Sequence, residues 1–274
     1  MLNIIIGKRS NLSNHLLESL DDAMVISSSQ VIKALSRLDW GQIDKVNLIL
    51  NQFQPATRLN DLSNPVEYID NAISTTANIL MFIKDKSPKV NKIVYTSSSS
   101  VYGNNESCVE IDAAQPLSLH ATLKLANEKL ISQFCTVENI DYTIARVFNM
   151  YGGNDKFSIV SKIIKAYKNQ QSISLINDGN AIRDFIHIND VTKAYKAILL
   201  SSGINIVNVA SGQRKSVRII LDYLLERDIK ISTSNIKRDE ISVSIANNTI
   251  LKTMLTPRFR FKSVEGYVLG ELQL

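Results

Sequence analysis

A histidine and a lysine four residues apart could carry chemistry in this sequence. They are His120 and Lys124, in the segment PLSLHATLK at residues 116–124, which opens a predicted helix. Imidazole titrates near neutrality and can serve as an acid or a base. Like-charge repulsion from Lys124 lowers the pKa of His120, so we expect the neutral imidazole to dominate and to accept protons better than it donates them.

Short apolar strands and helices alternate around this pair up to about residue 200. Strands buried on both faces are predicted at residues 2–7, 23–28, 45–50, 91–98 and 142–149. Strand, helix and strand in repetition predict an α/β fold with a doubly wound parallel sheet of the Rossmann type. Ligands in such folds bind outside the carboxyl ends of the strands, so the site is expected in the loops after the first, fourth and fifth strands.

The pattern changes after Gly152, where helices and strands follow one another without a repeat and end in a looser tail. We interpret this part as a smaller α/β substrate-binding lobe woven into the sheet domain. The predicted dinucleotide-binding domain covers residues 1–152, and residues 185–212 return to it. Residues 153–184 and 213–274 form the predicted lobe.

The loop after the first strand, GKRSNLS, has the spacing of a dinucleotide-binding fingerprint but keeps only its first glycine. Glycines in the pattern GxxGxxG allow a tight turn, close approach of backbone to pyrophosphate and close packing of helix on strand. The three positions are here Gly7, Ser10 and Ser13. Serine hydroxyls can donate to phosphate, and a helix N-terminus offers free N–H groups. The alternative is a plain connection between strand and helix.

The end of the second strand, ISSSQ, has no acidic residue to hold the ribose hydroxyls of NAD. Lys8 and Arg9 in the first loop could instead meet a 2′-phosphate. If a dinucleotide binds, the sequence therefore favours NADP over NAD. The alternative is a pair of solvated cations beside a serine-rich turn.

Four blocks resemble the extended short-chain dehydrogenase/reductase family, which contains nucleotide-sugar epimerases, dehydratases and reductases. In chain order they are TSSSSVYG (96–103), PLSLHATLK (116–124), RVFNMYG (146–152) and RDFIHINDV (183–191). The resemblance covers about the first 215 residues and matches the tail poorly. It implies the same Rossmann-type fold and a nucleotide-sugar substrate.

The resemblance also implies roles for individual residues. Ser98 would hydrogen-bond the reacting sugar oxygen, with Ser99 beside it in the substrate site, and Lys124 would hold the nicotinamide ribose. Asn149 would touch the sugar nucleotide and Arg183 would grip its diphosphate, for which a planar guanidinium is suited. The alternatives are a turn-capping amide at Asn149 and a structural ion pair at Arg183.

His120 departs from the family pattern P-x-S-x-Y-x-x-x-K. Pro116, Ser118 and Lys124 match it, whereas His120 replaces the tyrosine that serves as acid and base. Imidazole is shorter than a phenol. Three interpretations stay open: His120 is a substituted acid and base, His120 is a bystander while Ser98 and water carry the proton, or the site has lost its chemistry.

The reaction class follows from other positions. Ser99 and Ser100 stand where family dehydratases have Asp and Glu, so dehydration is not expected. The eroded glycine loop argues against the tight NAD retention that a 4-epimerase needs. Our first hypothesis is a reductase that uses NADPH on a nucleotide-linked keto-deoxysugar for surface polysaccharide. The alternatives are an NAD-dependent nucleotide-sugar epimerase and a Rossmann-fold binding protein without turnover.

Composition narrows the partners. The formal net charge is +5, but the basic residues are scattered, so nucleic acid is not expected. No apolar run approaches the length of a membrane span, which predicts a cytoplasmic protein without a membrane partner. Cys108 and Cys135 stand in unrelated contexts and predict neither a disulfide nor a metal site. A homodimer is implied by the resemblance alone.

Overall fold

The computed structural model describes residues 1–51 and 63–273. Residues 52–62, in the predicted first domain, and residue 274, in the predicted lobe, lie outside the described residues. The strands are β1 (Leu2–Ile6), β2 (Ala23–Ile26), β3 (Val46–Leu50), β4 (Val90–Ser98), β5 (Ser107–Cys108), β6 (Asp141–Val147), β7 (Asn149–Tyr151), β8 (Ile173–Ile176), β9 (Ile182–His187), β10 (Ile206–Val209), β11 (Arg214–Ser216), β12 (Thr233–Ile236) and β13 (Val243–Ala246).

The α-helices alternate with these strands in the first half of the chain and follow no regular alternation in the second half. They are α1 (Asn11–Ser19), α2 (Val31–Leu35), α3 (Pro65–Ile69), α4 (Thr75–Lys86), α5 (Leu119–Val137), α6 (Ile159–Lys168), α7 (Ile188–Leu200), α8 (Val217–Leu225), α9 (Thr249–Met254) and α10 (Val264–Gln273). A 3-10 turn, Ser99–Tyr102, follows β4 directly.

The central sheet has six strands in the order β10-β6-β4-β3-β1-β2, and all neighbours are parallel. Continuous apolar runs form these strands because both faces are buried: Ile4, Ile5 and Ile6 have no exposed surface. The predicted doubly wound α/β fold is confirmed. The chain turns back between β1 and β3, and a ligand crevice is expected at the carboxyl ends of strands around such a reversal.

Helices cover both faces of the central sheet. On one face α2, α4 and α5 bury Leu35, Ile79 and Ile131 against the strands. On the other face α1 and α7 bury Leu16 and Ile198. Helices α1 and α5 begin near the carboxyl ends of the strands. Their packing in these two layers fixes the position of their first turns.

The tail of the chain is more ordered than the sequence predicted. Its strand β13 lies inside a second sheet of order β11-β9-β13-β5, in which β7 also pairs with β9. Helices α6, α8 and α10 pack on this sheet through Phe185, Ile220 and Val268. The tail strands pair with partners far away in sequence, which local patterns do not reveal. Strand β12 pairs with β8 in a separate ribbon.

Strand β10 pairs with β6, so part of segment 185–212 lies in the central sheet. The division into a dinucleotide-binding domain and a substrate lobe stays a prediction. No helix within the described part of the chain is long and apolar enough to cross a membrane.

Candidate active site

The first loop makes the tight turn that its glycine predicts. Gly7 has φ +123° and donates its N–H to the carbonyl of Ile26 at the end of β2. Helix α1 follows with Ser10 at its N-cap, but the Ser10 side chain does not cap it. Within the described residues, the N–H groups of the first helical turn, Asn11, Leu12 and Ser13, have no hydrogen-bond partner. Free N–H groups and the positive end of the helix dipole favour an anion here.

The two serines of the fingerprint contact a residue that the sequence analysis missed. Asn51 follows β3 directly and its amide nitrogen donates to Ser10 Oγ at 3.0 Å and to Ser13 Oγ at 2.8 Å. Ser13 has no exposed surface, so it packs α1 on the sheet where the fingerprint has its third glycine. A polar residue after an apolar strand beside β1 is the signal that could have identified Asn51.

A cleft of about 380 Å³ lies beyond the carboxyl end of β2. It is lined by Ser28, Ser29 and Gln30 on one side and by Ser74, Thr75 and Asn78 on the other. Lys8 and Arg9 are both exposed in the neighbouring first loop. The carboxyl edge of the sheet therefore has a polar recess beyond β2 that is large enough for part of a ligand.

Asn11 joins α1 to the loop after β7, and two histidines lie against the glycines of that loop. Asn11 donates its side-chain amide to the carbonyl of Gly152 at 2.9 Å and accepts from Asn154 N at 3.0 Å. A Cβ on Gly152 would lie 2.6 Å from His187 Nε2, and one on Gly153 would lie 2.4 Å from His15 Cε1. Both glycines also have positive φ, +93° and +62°, so the two histidines pack against a turn that glycine favours.

Lys124 lies at the carboxyl end of the central sheet. Its ammonium donates to the carbonyl of Thr96, near the end of β4, at 2.7 Å and stands 5.0 Å from the centroid of the Tyr95 ring. Burial lowers the pKa of Lys124 to about 8, although the negative charge of Glu128 acts in the opposite direction. The lysine is therefore still mostly charged at neutral pH, close to the crevice.

His120 is the second residue of α5, one helical turn before Lys124 on the same face. Ser118 begins the helix by accepting a hydrogen bond from Ala121 N at 3.2 Å, so this match to the family pattern has a capping role. Burial lowers the pKa of His120 to about 4, and the charge of Lys124 adds to the shift. Both effects favour a neutral imidazole, and that imidazole has no hydrogen-bond partner within residues 1–51 and 63–273.

Ser98 ends β4, and α5 packs against the 3-10 turn that follows it. Its Oγ accepts from Ser100 N at 3.2 Å, and the two hydroxyls lie 3.0 Å apart with Ser100 as the donor. The hydroxyl proton of Ser98 is therefore free to donate to another group. Ser99, next in the turn, is half-buried.

The two residues assigned to the sugar nucleotide lie on neighbouring strands. Asn149 on β7 donates to the carbonyl of Asp184 on β9 at 3.0 Å, and Arg183 precedes that aspartate. Arg183 also pairs with Glu240 at 3.1 Å, the structural ion pair considered from the sequence. Its remaining N–H groups leave a diphosphate role open, because a guanidinium has five donors.

The sequence model of the "NAD dependent epimerase/dehydratase family" matches residues 12–210. The chain belongs to this family. The resemblance stated from the four sequence blocks is thereby confirmed. The first loop, which lacks two glycines, and His120, which replaces a tyrosine, are therefore differences between this family member and the family pattern.

Two curated relatives are epimerases. The chain is 29% identical to the UDP-glucuronate 4-epimerase of Thermodesulfobacterium geofontis over 71% of its own length and 62% of the relative's. It is 30% identical to UDP-glucuronate 4-epimerase 1 of Arabidopsis thaliana over 62% of its length and 44% of the relative's. The chain thus spans about half to two thirds of these relatives. Their names favour the epimerase alternative over the reductase that we preferred from the sequence.

Solved structures share the fold over the whole chain. The UDP-glucuronic acid 4-epimerase of Bacillus cereus, in complex with UDP-glucuronic acid and NAD, has a TM-score of 0.80 and 21% identity, covering 100% of this chain and 98% of that one. The NAD-dependent NDP-hexosamine 5,6-dehydratase TunA also has a TM-score of 0.80, with 20% identity, over 100% of this chain and 97% of that one. Neither supports the NADP that the sequence favoured.

This epimerase/dehydratase family member also has a buried charge network behind the site, which the sequence analysis missed. Arg146 on β6 pairs with Glu128 on α5 through two contacts, at 2.7 Å and 3.1 Å. Ser97 donates to the same carboxylate, and the guanidinium lies 4.6 Å from the centroid of the Tyr102 ring. Because Glu128 is one turn after Lys124, this network fixes the helix that carries the candidate catalytic residues.

Proposed function

We propose that the protein is an NAD-dependent nucleotide-sugar epimerase in which His120, beside Lys124, is the acid and base. The observation that carries this proposal is the position of the pair in the first turns of α5, with the lysine bonded at the carboxyl end of β4. Rossmann-type folds bind their ligands at that edge.

The protonation state of His120 favours an epimerase over a reductase. An epimerase starts by removing a proton from a sugar hydroxyl, and a neutral imidazole accepts protons. A reductase must start by donating a proton to a ketone oxygen. With the pKa of His120 lowered to about 4 by burial and by Lys124, the imidazolium needed for donation is scarce at neutral pH.

The other site residues have supporting roles in this proposal. Ser98 would donate its free hydroxyl proton to the reacting sugar oxygen. Lys124, charged at neutral pH, would hold the nicotinamide ribose and stabilise negative charge that develops on the sugar oxygen. Asn149, Arg183 and Ser99 would orient the nucleotide sugar.

The crevice fits a pyridine dinucleotide. The unpaired N–H groups at the start of α1 suit a pyrophosphate, Gly7 makes the tight turn before them, and a polar cleft lies beyond β2. Ser10, Ser13 and Arg9 would border the phosphates. NAD held there would supply reversible hydride transfer at the sugar carbon.

The pH dependence of kcat/KM is expected to be bell-shaped. Activity should fall as the pH drops through about 4, where His120 gains its proton, and as it rises through about 8, where Lys124 loses its charge. The control is His120→Tyr, whose acidic limb should move to higher pH because a phenol becomes the titrating group. An acidic limb near pH 6.5 in the wild-type protein would contradict a neutral, desolvated imidazole.

The function is tested by incubating the protein with NAD and UDP-glucuronic acid or UDP-glucose and following the sugar by NMR. We expect the 4-epimer to accumulate without net formation of NADH. Net oxidation of NADPH with a keto-sugar nucleotide would instead support the reductase. Binding of NAD without any turnover would support the binding-protein alternative.

A homodimer, a cytoplasmic location and a role in surface polysaccharide remain proposals that rest on the resemblance and on composition.

A further inference from the structure

Asn51 joins the two serines that replace glycines in the first loop. It is 2% exposed, and its backbone N–H is fixed by the carbonyl of Ile6 at 3.0 Å. Its side-chain nitrogen reaches both hydroxyl oxygens, Ser10 Oγ and Ser13 Oγ. An amide nitrogen has two hydrogens, so these two contacts use all of its donors.

The direction of these bonds determines what the serines can do. Each hydroxyl oxygen accepts from Asn51, so each hydroxyl keeps its own proton for another partner. The Ser13 hydroxyl is completely buried, whereas Ser10 is partly exposed. Ser10 therefore presents a hydroxyl proton at the start of α1 without using its oxygen to cap the helix.

The same place has unpaired backbone donors. The N–H groups of Asn11, Leu12 and Ser13 have no partner within the described residues. The exposed hydroxyl of Ser10 and these N–H groups form one cluster of donors at the positive end of a nine-residue helix. The serine thus adds a donor where a glycine would only have let a phosphate approach.

We propose that Asn51 is a positioning residue that directs the Ser10 hydroxyl proton toward the pyrophosphate of the bound dinucleotide. This inference rests on the proposed function, because it requires a pyridine nucleotide in the crevice. It explains the two serine exchanges, because an amide directly after the neighbouring strand β3 holds the hydroxyls that replace the glycines. The opposite interpretation is that Ser10 and Ser13 block the crevice.

The test is a double-mutant cycle on the NAD dissociation constant, measured by titration calorimetry. Ser10→Ala should weaken NAD binding about tenfold, since a hydrogen bond to a charged group is lost. Asn51→Asp keeps the shape but accepts hydrogen bonds, so it turns the serine protons inward. In the Asn51→Asp background, Ser10→Ala should therefore have no further effect.

The cycle separates positioning from charge and from stability. The new charge of Asp at position 51 is present both with Ser10 and with Ser10→Ala, so its effect on the NAD dissociation constant cancels when the two are compared. Asn47 provides the matched control. It lies on β3, the strand that Asn51 follows, and is 4% exposed. Its side-chain amide donates to Asn3 Oδ1 at 2.9 Å, at the other end of that strand. Asn47→Leu should lower the melting temperature and leave the NAD dissociation constant unchanged.

Four results would overturn the inference. Tighter NAD binding by Ser10→Ala would show that the serine blocks the crevice, and an unchanged dissociation constant would show that its hydroxyl is idle. If Ser10→Ala still weakens NAD binding tenfold in the Asn51→Asp background, Asn51 does not position the Ser10 hydroxyl. NAD binding with the predicted cycle but without sugar turnover would refute the proposed function alone, whereas no NAD binding by the wild-type protein would refute both.

Discussion

Replacing His120 by phenylalanine is expected to lower kcat for sugar interconversion by about 100- to 10,000-fold, the usual contribution of a positioned acid and base. The ring fills a similar space but cannot exchange a proton. Because the predicted dinucleotide contacts lie at Lys124 and the first loop, the NAD dissociation constant should change little. Single-turnover kinetics with a UDP-sugar, together with NAD titration, would measure both effects.

Two further variants separate the roles open to His120. His120→Gln can form hydrogen bonds but cannot transfer a proton at neutral pH, so it should be as slow as the phenylalanine variant. His120→Tyr restores the residue type of the family and should keep substantial activity. If kcat stays at the wild-type level in the phenylalanine variant, His120 is a bystander and Ser98 with water must carry the proton.

Replacing Arg146 by methionine is expected to lower the free energy of unfolding by about 3–5 kcal/mol, the cost of leaving a buried charge without its partner. Arg146 is 3% exposed and Glu128 is 4% exposed. Among the described residues, the methionine would leave the Ser97 hydroxyl as the one hydrogen-bond donor to Glu128, and it would remove the guanidinium from the Tyr102 ring. Urea unfolding followed by circular dichroism measures the change.

Two controls show whether the cost comes from the unpaired charge. Arg227→Met removes an exposed arginine that pairs with Glu226 at 3.5 Å, and it should cost less than about 1 kcal/mol. The double variant Arg146→Met with Glu128→Leu should recover part of the stability, because no charge is left buried. A loss below about 1 kcal/mol for Arg146→Met alone would contradict the network as the support of α5.

The sequence predicted the central sheet well because its strands carry a local signal. An unbroken apolar run such as that of β1 indicates burial on both faces, whatever its partners are. The tail carried no such signal: β12 has no buried residue. Its strands form through pairing across the chain, as β13 does with β5 and β9, and local periodicity does not encode such pairing.

The candidate site was only partly predictable for the same reason. His120 and Lys124 are neighbours on one helix, so spacing alone brings them together. Asn51 reaches Ser10 across 41 positions and Glu240 reaches Arg183 across 57, and such contacts follow from the fold. The sequence predicted a neutral His120 from the charge of Lys124, but burial, the larger cause of the lowered pKa, follows only from the packed structure.

The proposed epimerase needs a pyridine dinucleotide in the crevice beside Lys124, where His120 can act on a sugar. A crystal structure of the protein with NAD and a UDP-sugar is the sharpest test. We expect the Lys124 ammonium to contact the nicotinamide ribose and a His120 ring nitrogen to lie within about 3.2 Å of a sugar hydroxyl oxygen. A crevice without NAD, with the lysine still bonded only to the Thr96 carbonyl, would contradict it.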